Sequence, residues 1–269
     1  MIDSLYPAPL ARRAWAWARR WALAWWRIID LGAVVLVLLC SPSSYRRAAR
    51  GRLAQQIYTD TVPILAGFTA LAALLSLVIT HIVVVTALSY GLTRYALEMV
   101  IRVLVLELIP LTAALFVAMR TTIPGAAQLA QLRRSGALQA LRAQGGDPVR
   151  MEFLPRVLAG AYASVTLAAL SCVVALVMAY LGVYGFTTAG LPAYTRMFGQ
   201  VFTPSVTLVF ALKTLLSSLA VALIPMASSL YPAQSSAQQR RHAAGQGGLA
   251  RLFAVLLLIE LVSLLGNYY

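Results

Sequence analysis

Glu107, Lys213 and Glu260 are ionisable side chains that stand deep within long apolar runs of this 269-residue chain. An acid or a base in such surroundings is costly, so each needs a partner; together they can lock helices or line a transport path. Glu107 lies eight residues into its run (about Met99–Met119) and Lys213 eight into another (about Ser205–Leu230), counted from the same side. At ~1.5 Å per residue both sit about 12 Å below that boundary, which predicts a Glu107–Lys213 pair. Glu260 falls near the middle of a further run and can share the cation. Arg102 joins this polar group by position, with Glu98 four residues earlier as a local partner.

Other reaction chemistries find little support. The two histidines, His81 and His242, make no metal pair, and His81 reads as a packed or hydrogen-bonded helix residue. Cys40 and Cys172 lie in apolar surroundings, with neither a disulfide framework nor metal-ligand spacing. The single lysine, Lys213, follows LVFAL without a glycine, so no phosphate-binding loop of the G-x-x-x-x-G-K-[ST] type is present. No catalytic constellation can be assembled, no metal or cofactor is expected in this chain, and any ATP hydrolysis must come from another subunit.

The elements that must position these residues are membrane helices. The chain is 61% hydrophobic and 11% charged, with a mean hydropathy of +0.79. Runs at about Val62–Ser89, Met99–Met119, Val157–Gly182 and Ser205–Leu230 are each long enough to cross ~30 Å of hydrocarbon. A shorter fifth, about Leu252–Leu265, ends at Asn267-Tyr268-Tyr269, an interface signature. The reading is an all-α integral membrane protein with five transmembrane helices.

Charge fixes the orientation. Nine arginines precede the first run, six lie in or beside the loop from Arg120 to Arg156, and Arg240, Arg241 and Arg251 precede the fifth. That places eighteen on one side against Arg94 and Arg196 on the other, so the N-terminus is expected in the cytoplasm and Tyr269 outside it. The net charge of +14 does not signal nucleic-acid binding, because helix-end arginines build no basic groove.

The first 52 residues differ from the rest. On a helical wheel Arg12, Arg13, Arg19, Arg20 and Arg27 fall within an arc of roughly 120°, and Trp15, Trp17, Trp21, Trp25 and Trp26 occupy the remainder. That pattern describes an interfacial helix anchored by tryptophan. The stretch LGAVVLVLLC (31–40) is too short to span and is read as dipping into the inner leaflet before SPSSYRRAARGR (41–52) returns the chain to water. The remainder, 53–269, forms the transmembrane domain.

Between the second and third runs lies the one long internal cytoplasmic loop, about 121–156. Within it PGAAQLAQLRRSGALQALRAQ (124–144) is rich in helix formers and ends at Gly145-Gly146, after which Asp147-Pro148 and Pro155 punctuate the return to the bilayer. It reads as a short cytoplasmic helix held between two spans.

LELIPLTAALFVAMR (106–120) followed by ALQALRAQGGDPVRMEFLPRVLAG (137–160) resembles the signature of the MlaE/YrbE permeases, membrane subunits of ABC transporters that work with MCE-domain lipid-binding proteins. The resemblance runs from about Arg50 to the C-terminus and includes Lys213 and Glu260. It implies a permease in the bacterial inner membrane that moves phospholipid or a similar lipid between that membrane and a periplasmic MCE protein, in the context of outer-membrane lipid asymmetry. It implies a second permease copy forming a homodimer, and a cytosolic ABC ATPase that binds ATP and magnesium. It makes the cytoplasmic helix a coupling helix, with Gln139, Arg142, Gly145, Gly146, Asp147, Pro148 and Arg150 at the ATPase; Glu107, Lys213, Glu260 and Arg102, by their depth, form an intramembrane polar cluster or part of the lipid pathway. The chain departs from the family pattern at Thr121-Thr122-Ile123-Pro124, Gln128 and Ser135-Gly136-Ala137, where relatives carry a small-residue turn and acids. A self-contained secondary transporter is the alternative, although five unequal runs show no repeated halves.

Overall fold

The computed structural model describes residues 47–91, 93–230 and 239–268, together with a subset of positions between Trp15 and Val37; among these there is no strand. Five helices are long and apolar enough to cross a membrane: Gly51–Ser89, Tyr95–Arg134, Val149–Tyr184, Pro204–Leu230 and Gly248–Asn267. The chain is an all-α integral membrane protein.

The first long helix, α1 (Arg47–Ser89), has 43 residues. At roughly 65 Å it is about twice the thickness of the hydrocarbon core, so one end projects well beyond it. It packs along α6 (Leu154–Tyr184). Ile64, Phe68, Ala72, Ser76 and Thr80 recur every fourth residue on the buried face of α1, and α6 offers Ala168, Ala175 and Ala179 from its own buried face. Close approach needs small residues: a Cβ on Gly182 would meet Thr80 Cγ2 at 2.9 Å. His81 lies one residue off that buried face and is exposed, not packed as its position in the run suggested.

The second span is one continuous helical rod from Thr93 to Arg134, built of α2 (Thr93–Met99), π1 (Val100–Leu108), α3 (Ile109–Val117), π2 (Ala118–Thr122) and α4 (Ile123–Arg134). A third wide-turn segment, π3 (Val149–Phe153), leads into α6. Each π segment ends two residues before a proline: Pro110, Pro124 and Pro155. Proline has no N–H to give the carbonyl four residues earlier, and its ring crowds that carbonyl. Those carbonyls belong to Leu106, Arg120 and Met151, all inside the wide turns, where a hydrogen-bond ladder shifted by one residue relieves both problems. Proline alone does not force this, since Pro63 and Pro225 lie within regular α-helix.

This rod corrects one expectation. No separate cytoplasmic helix begins at residue 124; the second span itself continues to Arg134 and stops at Gly136, whose φ of +77° suits glycine. A seven-residue helix, α5 (Ala137–Ala143), follows. The connection after α6 contains α7 (Leu191–Val201). Its Val201 is buried with Leu97, Ile101 and Leu106, so α7 covers the end of the bundle above π1. Tyr194 of α7 donates its hydroxyl to the Leu176 carbonyl at 2.8 Å, and burial pushes its phenol up to about 12.

The last two spans are α8 (Pro204–Leu230) and α9 (Gln239–Tyr268). The described N-terminal positions are helical, with Trp15, Arg19 and Trp26 exposed and Trp25 half-buried. Trp17, Trp21 and Cys40 lie outside the described residues. Leu31 and Val35 are buried against Ala126, Leu129, Phe153 and Leu154, which seats this segment against α4 and the start of α6.

Candidate functional site

Two constellations stand out, at opposite ends of the bundle. The first is an ion cluster. Lys213 of α8 forms salt bridges with Glu107 of π1 and Glu260 of α9. Its third proton goes to the Leu106 carbonyl at 3.2 Å, the carbonyl that Pro110 leaves without its α-helical donor. Asn267, two turns beyond Glu260 on α9, donates Nδ2 to Glu107 Oε1 at 3.2 Å. The cluster therefore joins three spans. Its lysine is sealed, with a side chain 1% exposed, while the side chains of Glu107 and Glu260 are 14% and 13% exposed.

Arg102 does not join them. Its Nε bonds Glu98 Oε1 at 3.0 Å one turn away on the same helix, so the pair is local. Cys172, buried in α6, donates its thiol to the Val105 carbonyl at 3.5 Å and serves packing.

The second constellation is the α5 turn. Gly145 donates to the Arg142 carbonyl at 3.0 Å with φ +78°, and Gly146 donates to the Leu141 carbonyl at 3.0 Å. This pair of bonds is a Schellman cap, and it requires the left-handed residue that glycine supplies. A Cβ on Gly146 would press on Leu141 and Met151 at about 3.1 Å. Asp147 then caps the next helix, accepting the Val149 N–H on Oδ1 at 3.0 Å, and Arg150 Nε stands 3.6 Å from its Oδ2. Pro148 is buried beneath the turn, whereas Gln139, Arg142, Asp147 and Arg150 are exposed. Gln139, Arg142 and Pro148 also line a cleft of about 360 Å³ that opens between α5 and Leu31 of the N-terminal segment.

Arg133 ties two helices at the α5 end and was not singled out by the sequence. Its Nη1 donates to the carbonyls of Ser229 and Leu230 at 2.6 and 2.7 Å, a cation on the C-terminus of α8. The helix carrying Glu107 and the helix carrying Lys213 are thus tied twice, once at the ion cluster and once beside α5.

The sequence of residues 53–265 matches the family model described as Permease MlaE. This chain belongs to the MlaE permease family. The match takes in both constellations except Asn267, and excludes the N-terminal segment. As an MlaE-family permease the chain is a multi-pass membrane component of an ABC-type lipid transporter, a type in which ATP hydrolysis is carried by a separate subunit. No curated protein matches the chain closely enough to count as a relative.

Proposed function

We propose that this chain is the permease subunit of an ABC transporter that moves phospholipid between the bacterial inner membrane and a periplasmic MCE-domain protein, and that it works as a homodimer. The observation that carries the reading is the double tie between the second span and α8. A force applied at α5 passes along an unbroken rod from Arg134 to Glu107, and through Arg133 into the helix that carries Lys213. A cytosolic ATPase docked on Gln139, Arg142 and Arg150 would act on that rod, with Gly145, Gly146, Asp147 and Pro148 fixing the angle of the α5 turn. Arginine asymmetry puts α5 in the cytoplasm and Tyr269 in the periplasm. The N-terminal segment, with Trp15, Trp17, Trp21, Trp25 and Trp26, serves as an interfacial anchor.

The test is purification from native membranes after mild cross-linking, followed by identification of the co-purifying proteins. The expected companions are an ATPase with a phosphate-binding loop and an MCE-domain protein. Gradient-driven lipid movement by the purified chain alone, with neither companion, would overturn the reading in favour of a secondary transporter.

A further inference from the structure

We infer that the Glu107–Lys213–Glu260 cluster is a headgroup site selective for a primary ammonium, that of an ethanolamine-type phospholipid, over an anionic or quaternary headgroup. This rests on the lipid-permease reading and deepens it.

The argument begins with proton donors. A lysine ammonium has three, and all three are used: on Glu107, on Glu260 and on the Leu106 carbonyl. Lys213 has nothing left to offer a phosphate, and its burial removes it from approach. The open capacity around it is acceptor capacity. Glu107 and Glu260 are the partly exposed members. Ser263 and Asn267 follow Glu260 by three and seven residues and so share its face of α9. The Ser263 hydroxyl and Asn267 Oδ1 are both buried without a hydrogen-bond partner, and Ser263 is only 4% exposed. Such atoms are rare unless something absent from the protein itself completes them.

Charge points the same way. The cluster holds two acids for one cation, and among the described residues no second lysine or arginine forms an ion pair with either acid. An uncompensated charge at this depth calls for a partner of opposite sign. A primary ammonium supplies the missing charge and three N–H donors in a single group. A trimethylammonium supplies charge without donors, and a phosphoglycerol headgroup adds a negative charge beside two others.

The test is lipid retention. The full-length chain is extracted in mild detergent from membranes of known composition, and the bound phospholipids are quantified against the bulk. Wild-type protein should be enriched in phosphatidylethanolamine over phosphatidylglycerol by about ten-fold, the discrimination that one charge-assisted hydrogen bond can supply. Glu260→Gln should return the ratio to that of the bulk, and Ser263→Ala, which leaves every charge in place, should lower it. Glu98→Gln, outside the cluster, should leave the enrichment intact. Bound lipid that mirrors the bulk in the wild type overturns the inference, as does undiminished enrichment in Glu260→Gln, the result expected if a proton balances the charge. A chain that retains and moves no phospholipid at all would instead sink the lipid-permease reading.

Discussion

The double tie makes Arg133 the most informative position to perturb. Arg133→Met keeps the aliphatic stem and removes the guanidinium that bridges the Ser229 and Leu230 carbonyls. Charge-assisted bonds of this length reach about 1.5–3 kcal/mol each when buried, but this side chain is only partly buried, so about 1 kcal/mol apiece is the appropriate figure. The lost cation at the C-terminus of α8 adds roughly 0.5 kcal/mol. A total of about 2.5 kcal/mol should lower the apparent unfolding temperature in mild detergent by several degrees. Arg133→Lys, which keeps the charge but not the fork, should recover about half of the loss. Stability alone would not separate a brace from a transmission element, so the second measurement is lipid moved per ATP hydrolysed by the assembled transporter. Transmission predicts that this ratio falls in Arg133→Met while hydrolysis continues. Unchanged unfolding temperature together with an unchanged ratio would refute the reasoning.

Other expectations follow from the same geometry. Replacing Asp147-Pro148 with two alanines removes the helix cap and the buried ring, and should uncouple hydrolysis from lipid movement while the subunit still inserts, as read by membrane fractionation and transport. In a double-mutant cycle at Glu107 and Lys213, each single neutral substitution should impair assembly or transport more than the double one; the coupling should be about 1–3 kcal/mol, and strict additivity would show that the pair contributes nothing jointly. A reporter active only outside the cytoplasm should work when fused after Tyr269 and fail after Gly145. At Tyr194 the folded state holds the proton to about 12, above the ordinary phenol value of 10.0, so its contribution is complete below pH 10 and is lost as pH rises through the 10–12 window. An alkaline loosening seen by thermal unfolding should therefore be weaker in Tyr194→Phe.

The parts legible in the sequence were those that depend on length and depth. Span count came from apolar runs, and the approach of Glu107 and Lys213 from a uniform helical rise. What stayed hidden depends on direction. Spans that are apolar on every side carry no periodicity to say which face meets a neighbour, so the α1–α6 seam and the place of His81 could not be read. Arg133 looked like any other cytoplasmic arginine, because its partners are backbone carbonyls that no sequence displays. Asn267 passed for part of an interfacial ending with Tyr268 and Tyr269. The prolines that accompany the three wide turns were in plain view, but Pro63 and Pro225 look no different and leave their helices regular.

The ion cluster also orders events during synthesis. Glu107 and Lys213 are 106 residues apart, and at about 5–20 residues per second the acid waits roughly 5–20 s for its base. Glu260 and Asn267 arrive later still, on α9. Until then the second span must stay in the bilayer on the strength of its leucines, isoleucines and valines, against a carboxylate without its cation. Loss of the final turns of α9 would thus leave Glu107 without the Asn267 amide and Lys213 with a single acid, and a truncated chain is a natural substrate for membrane quality control.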